Sequence, residues 1–326
     1  MSQLHQRWVP RCLIDSKSDR LKLSHCLELA SVLGVRMRLR LPDRMVEFPR
    51  RPLVMGIVNV NDDSFSGDGT LDFETATVQA RAQVAAGADV IDVGAESART
   101  NRSVIPVDEE IRRFAGFLDR WDEVWHGIEP RDNAQIWPPI LSANTWRPEV
   151  VGRILAHHKI ELLNDMGGLP DDRNARLCAA HGASLLVMHS VGEPKVPHFQ
   201  QTWGDVMADM ERFFDEKIRL AEAVGLGRDA LVLDPGIDFA KQRADNLTVY
   251  RELGRLQRFG LPVLVPVSRK TVIGEVLGIA EPAQRDAGTV ACISAAMLHG
   301  AQILRVHNVQ AAWQTVKTLA ALLADP

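Results

Sequence analysis

The feature that most constrains this chain is an eightfold alternation of short apolar runs with longer amphipathic segments, beginning at Leu53. The apolar runs have the length of buried β-strands, and the segments between them have the spacing of helices. The strand candidates are Leu53–Val58, Asp89–Val93, Ile140–Ala143, Glu161–Leu163, Ser184–Met188, Ala230–Leu233, Val263–Val267 and Ile303–Val306. The helix candidates include Phe73–Ala86, Glu109–Leu118, Glu149–His157, Arg173–Ala180, Trp203–Val224 and Gly288–Leu298. The alternation predicts an α/β fold, a (β/α)8 TIM barrel.

A doubly wound parallel sheet is the main alternative to a barrel. Eight units in roughly 270 residues match the usual size of a barrel. No strand candidate is followed by the glycine-rich fingerprint of dinucleotide-binding sheets. The barrel is therefore the preferred prediction.

The residues before Leu53 predict a hairpin and an extension. Val35–Leu41 alternates apolar and polar residues, as a strand with one buried face does, and Met45–Phe48 can return as its partner after the Pro42-Asp43 turn. Leu21–Leu33 has the spacing of a helix. We therefore divide the chain into a basic N-terminal extension, residues 1–34, and a barrel domain, residues 35–326.

Composition excludes several classes of protein. The chain is 46% hydrophobic and 25% charged, as ordinary globular proteins are. It has no membrane-spanning run and no signal peptide at its start. The four cysteines are scattered, which predicts free thiols in a reducing cytoplasm. Residues 1–51 hold eleven Lys and Arg against five Asp and Glu, but they lack interleaved aromatic residues, so we expect no nucleic-acid partner.

Polar side chains follow the strand candidates, at the end of a barrel where ligands bind. The amides and carboxylate of Asn144, Asn164 and Asp234 suit the edge of a flat heterocycle, because each buried polar atom needs a partner. The cationic residues suit phosphate or carboxylate; they are Arg99, Arg269, Lys270, Arg305 and His307. Asn59 and the acidic loop after it could help to hold a magnesium–phosphate. The predicted ligand is a heterocycle with a phosphorylated arm.

One short motif at each strand end resembles the motifs of dihydropteroate synthases. The chain reads N-V-N-D-D-S-F-S-G-D-G where that family reads N-V-T-P-D-S-F-S-D-G-G, and D-V-G-A-E-S-A-R-T-N for D-V-G-G-E-S-T-R-P-G. Further motifs are A-N-T for V-D-T, L-N-D for I-N-D, and D-P-G-I-D-F-A-K for D-P-G-x-G-F-G-K. M-H, S-R-K and R-V-H match unchanged. The resemblance covers roughly residues 38 to 320.

The resemblance implies a cytoplasmic, dimeric transferase of folate biosynthesis. This enzyme joins a dihydropterin hydroxymethyl pyrophosphate to para-aminobenzoate and releases pyrophosphate. It implies that the pterin is bound by Asn144, Asn164, Asp234, Phe239 and Lys270. It also implies a pyrophosphate–Mg²⁺ site at Asn59, Arg305 and His307, with Asn59 as the metal ligand. Ser268 would help to hold the benzoate, and Arg99 would act in a loop that closes over the reaction.

The chain departs from the family pattern in three places. They are the first loop, which follows the first strand candidate, the second loop, which follows the second strand candidate, and Asn144, where the family has aspartate. An amide carries no charge, so Asn144 would stabilise a pterin cation less well. Two alternatives therefore stay open: a pterin-binding paralogue without synthase activity, and a pterin-dependent methyltransferase domain. A metal-dependent barrel hydrolase is weaker still, because the first strand ends in N-V-N rather than in a histidine pair.

Overall fold

The structure is a computed structural model that describes residues 37–48, 50–62, 67, 69–97, 103–196, 198 and 200–324. The predicted extension, residues 1–34, and its helix Leu21–Leu33 lie outside these ranges. Arg99 also lies outside them. Cys178 and Cys292 are free thiols, as predicted. None of the described helices has the length and apolar character that crossing a bilayer requires.

Eight parallel strands form the barrel, in the places the sequence predicted. They are β3 Leu53–Asn59, β4 Val90–Gly94, β5 Ile140–Asn144, β6 Leu162–Asp165, β7 Ser184–Met188, β8 Leu231–Asp234, β9 Leu264–Pro266 and β10 Ile303–Val306. The hydrogen-bonded order is β8-β7-β6-β5-β4-β3-β10-β9. A parallel bridge between Leu233 and Val263 brings the two end strands together. The sheet thus closes on itself, which confirms the barrel over the doubly wound sheet.

Helices cover the outside of the barrel. They are α1 Phe73–Ala85, α2 Val107–Leu118, α3 Trp121–Trp125, α4 Pro148–His157, α5 Arg173–His181, α6 Val206–Ala223, α7 Arg243–Glu252, α8 Thr271–Leu277, α9 Asp286–Leu298 and α10 Val309–Leu323. Asp72 and Asp205 cap α1 and α6 by accepting backbone N–H groups. Gly182 ends α5 at φ 73°, a left-handed conformation that glycine adopts without strain.

A two-stranded hairpin closes the N-terminal end of the barrel. Its strands are β1 Arg38–Arg40 and β2 Met45–Glu47, and Leu39 pairs with Val46. Leu39 is fully buried in an apolar cluster with the first inward-facing residues of the barrel strands, such as Leu53 and Ile140. The prediction that a hairpin covers one end of the barrel is confirmed.

Side chains inside the barrel change from apolar to polar along each strand. Leu162 and Val232 lie in the apolar cluster at the hairpin end. Two residues further along the same strands are Asn164 and Asp234, which point to the same face because side chains alternate with period two. The polar residues therefore meet at the C-terminal mouth of the barrel, above a closed apolar floor.

Candidate active site

One row of residues crosses four neighbouring strands at the mouth. The register pairs Asn59 with Gly94, Gly94 with Asn144, and Asn144 with Asn164. Paired residues of parallel strands point to the same side of the sheet. The three predicted asparagines thus face the barrel interior at one level, and Gly94 leaves room between them. The structure brings these predicted site residues together.

Asp92, on β4, is the centre of the polar network beneath this row. Its side chain is fully buried. Oδ2 accepts a hydrogen bond from Asn164 Nδ2 at 3.0 Å, from Asn144 Nδ2 at 3.4 Å and from Arg305 Nε at 2.7 Å. Oδ1 accepts from Ser142 Oγ at 2.6 Å. Four donors therefore converge on one carboxylate, and they fix the orientation of both amides and of the guanidinium.

Asn144 has one buried atom without a hydrogen-bond partner among the described residues. A carboxylate can only accept when it is ionised, so the amide of Asn144 must turn its nitrogen towards Asp92. Its Oδ1 is then the orphan atom, and no hydrogen-bond donor reaches it from the described residues. A buried acceptor without a donor costs free energy, so this oxygen favours a ligand that offers an N–H group.

Asp234, at the end of β8, provides a second acceptor. It is 4% exposed, and Oδ1 accepts the Gly236 N–H at 2.7 Å. Burial raises the pKa of its carboxyl to about 6, although the Gly236 N–H and the positive charges of Lys270 and Arg305 oppose this rise. A ligand that donates N–H bonds would favour the ionised form and pull this pKa down again.

Lys270 reaches the mouth from the loop after β9. Its Nζ donates to the backbone oxygen of Ile237 at 2.9 Å and lies 5.2 Å from the centre of the Phe239 ring. Burial lowers the pKa of this ammonium group. Lys270 and Phe239 therefore form one wall, between the loops after β8 and β9.

Comparison with known proteins agrees with this geometry. Residues 55–307 match the family model of pterin binding enzymes. A dihydropteroate synthase of Escherichia coli K12 is 34% identical over 274 residues, which is 84% of this chain and 92% of the relative. The chain belongs to the dihydropteroate synthase family.

Solved structures of other dihydropteroate synthases have the same fold. One from Yersinia pestis, in complex with a sulfonamide drug, has a TM-score of 0.77 at 32% identity and is covered to 98%, over 88% of this chain. One from Xanthomonas albilineans, with 4-aminobenzoic acid, has a TM-score of 0.76 at 34% identity and is covered completely, over 89% of this chain. The barrel fold and the family membership are therefore supported by similarity over most of the chain as well as by the short motifs.

The other predicted anion-binding residues of this dihydropteroate synthase family member lie around the same mouth. His307 follows β10, and its Nδ1 lies 2.8 Å from the hydroxyl of Ser268. Ser268 also accepts the His307 N–H at 3.2 Å. Arg269 is different, because its guanidinium is bound by the carboxylate of Asp286, at 2.8 Å from Nε to Oδ1. Of the two cationic residues after β9, Lys270 is thus the one that lies beside Phe239 at the mouth.

The second loop, which follows β4, is held by hydrogen bonds and ion pairs at both of its described ends. Glu96 is buried, and its Oε1 accepts from Lys195 Nζ at 2.7 Å and from the Ile105 N–H at 3.0 Å. Arg147 binds its other oxygen. Lys195 also donates to the carbonyl of Ser103 at 3.0 Å. Arg99 lies between these anchors in sequence, outside the described residues, and its role stays a prediction.

Sequence reasoning missed Asp92 as a site residue. The available signal was a single carboxylate inside an apolar strand, since Asp92 stands between Ile91 and Val93. A charged residue is almost never fully buried unless it is paired. That rule points to a network around Asp92, but it does not identify the partners, which come from three other strands.

Proposed function

We propose that this chain joins a dihydropterin hydroxymethyl pyrophosphate to para-aminobenzoate, giving dihydropteroate and pyrophosphate. The observation that carries the proposal is the set of buried acceptors at the mouth, Asp234 and Oδ1 of Asn144, above an apolar floor. A pterin edge is flat and rich in N–H groups, so it would satisfy these acceptors. The Xanthomonas relative was solved with 4-aminobenzoic acid, which supports the choice of second substrate.

In the proposed reaction, the bond between the hydroxymethyl carbon and the pyrophosphate oxygen breaks with both electrons on oxygen. The amine nitrogen of para-aminobenzoate then bonds to that carbon and loses one proton to solvent. Arg305 donates its Nε–H to Asp92, and its terminal nitrogens are proposed to bind the pyrophosphate. Together with His307, this fixed guanidinium stabilises the negative charge on the departing pyrophosphate without reorganising.

Carboxylates favour the cation that departure leaves on the pterin ring. Asp92 is held beneath the ring by its four donors, and Asp234 binds the edge. Asn144 contributes a hydrogen-bond acceptor there but no charge. Lys270, proposed to contact the pterin carbonyl, completes the edge opposite Asp234.

Mg²⁺ is the proposed cofactor, with Asn59 as its protein ligand. The described residues contain no group of three His, Cys, Asp or Glu that could hold a metal. One amide oxygen still fits magnesium, because this ion usually keeps several waters and binds with substrate phosphates and few protein ligands. When bound, Mg²⁺ would neutralise part of the pyrophosphate charge. The metal is therefore expected to bind together with the substrate.

A pterin-binding paralogue without synthase activity is the second candidate, and Asn144 is the observation that favours it. Calorimetry with the pterin pyrophosphate, followed by para-aminobenzoate, separates the two. A synthase binds the pterin, responds to the second addition and releases one pyrophosphate for each benzoate consumed. Pterin binding without pyrophosphate release would contradict the synthase proposal. Arg305→Lys is the matched control, since it keeps a positive charge beside Asp92 but removes the guanidinium that is proposed to contact the pyrophosphate.

The assembly is proposed to be a homodimer in the cytoplasm, as the family resemblance implies. Sedimentation equilibrium measures the mass of the assembly independently of its shape. A single species with twice the 36.1 kDa of the chain is the expected result. A species at the mass of one chain over the working concentration range would contradict it.

A further inference from the structure

Asp238, in the loop after β8, has a conformation that its residue type does not favour. Its φ is 70°, in the left-handed region, and the φ of Ala240 two residues later is 51°. Residues with a Cβ seldom adopt this region, although aspartate and asparagine tolerate it better than most. The family motif quoted above has glycine at both positions. Both positions therefore carry a side chain at a conformational cost, and at position 238 the side chain also makes specific contacts.

The carboxylate of Asp238 binds the first N–H groups of α8. It accepts from the backbone N–H of Thr271 and, at 3.2 Å, from that of Val272. Lys270 occupies the N-cap position of this helix, and its own side chain makes no capping hydrogen bond. Asp238 thus supplies the cap from another loop, because N–H groups at the start of a helix lack partners within the helix.

Asn246, on α7, holds Asp238 from the other side. This asparagine is buried, its Oδ1 accepts the Asp238 N–H at 2.9 Å, and its Nδ2 donates to the Asp238 carboxylate at 3.3 Å and to the Lys241 carbonyl at 3.2 Å. The turn that contains Asp238 is therefore fixed on the scaffold before it binds α8. This rigidity makes the carboxylate a defined anchor for the loop after β9.

The two loops meet at Lys270. The ammonium group donates to Ile237 O, the residue before Asp238, while the next backbone N–H after Lys270 binds the Asp238 carboxylate. The Lys270 side chain and the backbone that carries it are thus both bound to the loop after β8. We propose that Asp238 is a positioning residue, which aims Lys270 at the pterin; the pterin part of this inference rests on the proposed function.

The charges around Lys270 also shift the pKa of its ammonium group. Burial lowers the pKa of the ammonium, the carboxylates of Asp238 and Asp234 raise it, and Arg305 lowers it. Asp238 is the largest of the charged contributions. Removing its charge therefore lowers the pKa of Lys270 further, and the lysine loses its proton at a lower pH.

Three variants test this role. Asp238→Asn keeps tolerance of the left-handed turn and one acceptor oxygen but removes the charge. Asp238→Gly removes the cap while suiting φ 70°. Ala240→Gly is the matched control, because it relaxes the same turn without touching the cap. Comparing the glycine variants separates loss of the carboxylate from a change in backbone freedom.

Two measurements need no activity. Protein labelled with ¹³C-lysine gives a Lys270 signal, which is assigned by its loss in Lys270→Arg. This signal titrates at a lower pH in both Asp238 variants and at the parent pH in Ala240→Gly. Amide exchange accelerates at both Thr271 and Val272 in Asp238→Gly, at only one of the two in Asp238→Asn, which keeps one acceptor oxygen, and at neither in Ala240→Gly. An unchanged Lys270 titration in both Asp238 variants, or equal changes in Ala240→Gly, overturns the inference even if the protein binds no pterin.

Pterin binding then tests the consequence. The Kd for the pterin pyrophosphate rises by roughly tenfold to a hundredfold in Asp238→Gly, as expected for a lost contact to a charged group, and by less in Asp238→Asn. The KM for para-aminobenzoate stays within twofold. If the parent binds pterin and Asp238→Gly binds it equally well, the positioning role is wrong while the proposed function stands. If the parent binds none, the proposed function fails and the lysine titration alone decides.

Discussion

The substitution Asn144→Asp would place a second carboxylate beside Asp92. In the parent, Asn144 Nδ2 donates to Asp92 Oδ2 at 3.4 Å, so the contact is attractive. The aspartate replaces this donor by an acceptor that carries the same charge as Asp92. The variant restores the residue type of the family motif, and we nevertheless expect it to destabilise the ligand-free protein.

The distance sets the size of this effect. Two unit charges 3.4 Å apart repel by about 5 kcal/mol at an effective dielectric constant of about 20. Arg305, bound to Asp92 at 2.7 Å, offsets part of this repulsion. We expect a net loss of about 1 to 3 kcal/mol in the free energy of unfolding, because one guanidinium then has to neutralise two carboxylates. For a chain of this size, the Tm should fall by roughly 1 to 5 °C.

The loss must depend on pH in a defined direction. Repulsion raises the folded-state pKa of the introduced carboxyl above its unfolded value of about 3.9. The variant is therefore close to the parent below that pH and loses stability as the pH rises through the raised folded-state value. Differential scanning calorimetry at pH 5 and pH 8 measures this. Asn144→Leu, which removes the hydrogen bond without adding charge, should show the same deficit at both pH values. Equal pH dependence of the two variants would refute the electrostatic reasoning.

Three further predictions concern other parts of the molecule. Because the folded-state pKa of Asp234 is raised to about 6, pterin affinity in the parent should increase from pH 5 to pH 7 as this carboxyl ionises; calorimetry on Asp234→Asn should find weaker binding without that increase. Lys195→Met removes the ammonium group that binds Oε1 of the buried Glu96 and should cost at least about 2 kcal/mol in urea unfolding, and Glu96→Gln in the same chain should recover part of it. Leu39→Ala should cost about 2–5 kcal/mol in the same assay, with pterin Kd unchanged, because it opens a cavity in the floor.

The strands could be predicted because burial on both faces gives each of them an uninterrupted apolar run. Ser184–Met188 and Ile303–Val306 have the predicted bounds, and the others differ by one or two residues at their ends. Helix α7 Arg243–Glu252 was not predicted. It is mostly polar, so its apolar stripe is too narrow to identify by spacing.

The candidate site was predictable to the extent that single residues follow strands. Asn144, Asn164 and Asp234 were found this way, since the ends of parallel strands meet at one mouth. Asp92 and Asp238 were missed for a common reason: their partners are distant in sequence. Asp238 binds Thr271, 33 residues away, across two loops. No local pattern encodes such a contact.

The hairpin at the N-terminal end has a consequence for the order of events. Because Leu39 and its neighbours fill that end, a ligand would reach the polar residues of the barrel from the C-terminal mouth. Under the proposed function, a pterin bound against Asp92 and Asp234 would lie at the closed end of this passage, and para-aminobenzoate would have to bind after it and nearer to the mouth. The pterin would then be unable to dissociate while para-aminobenzoate is bound. Pyrophosphate and dihydropteroate would leave through the same mouth. The shape of the barrel would therefore impose an order on substrate binding and product release.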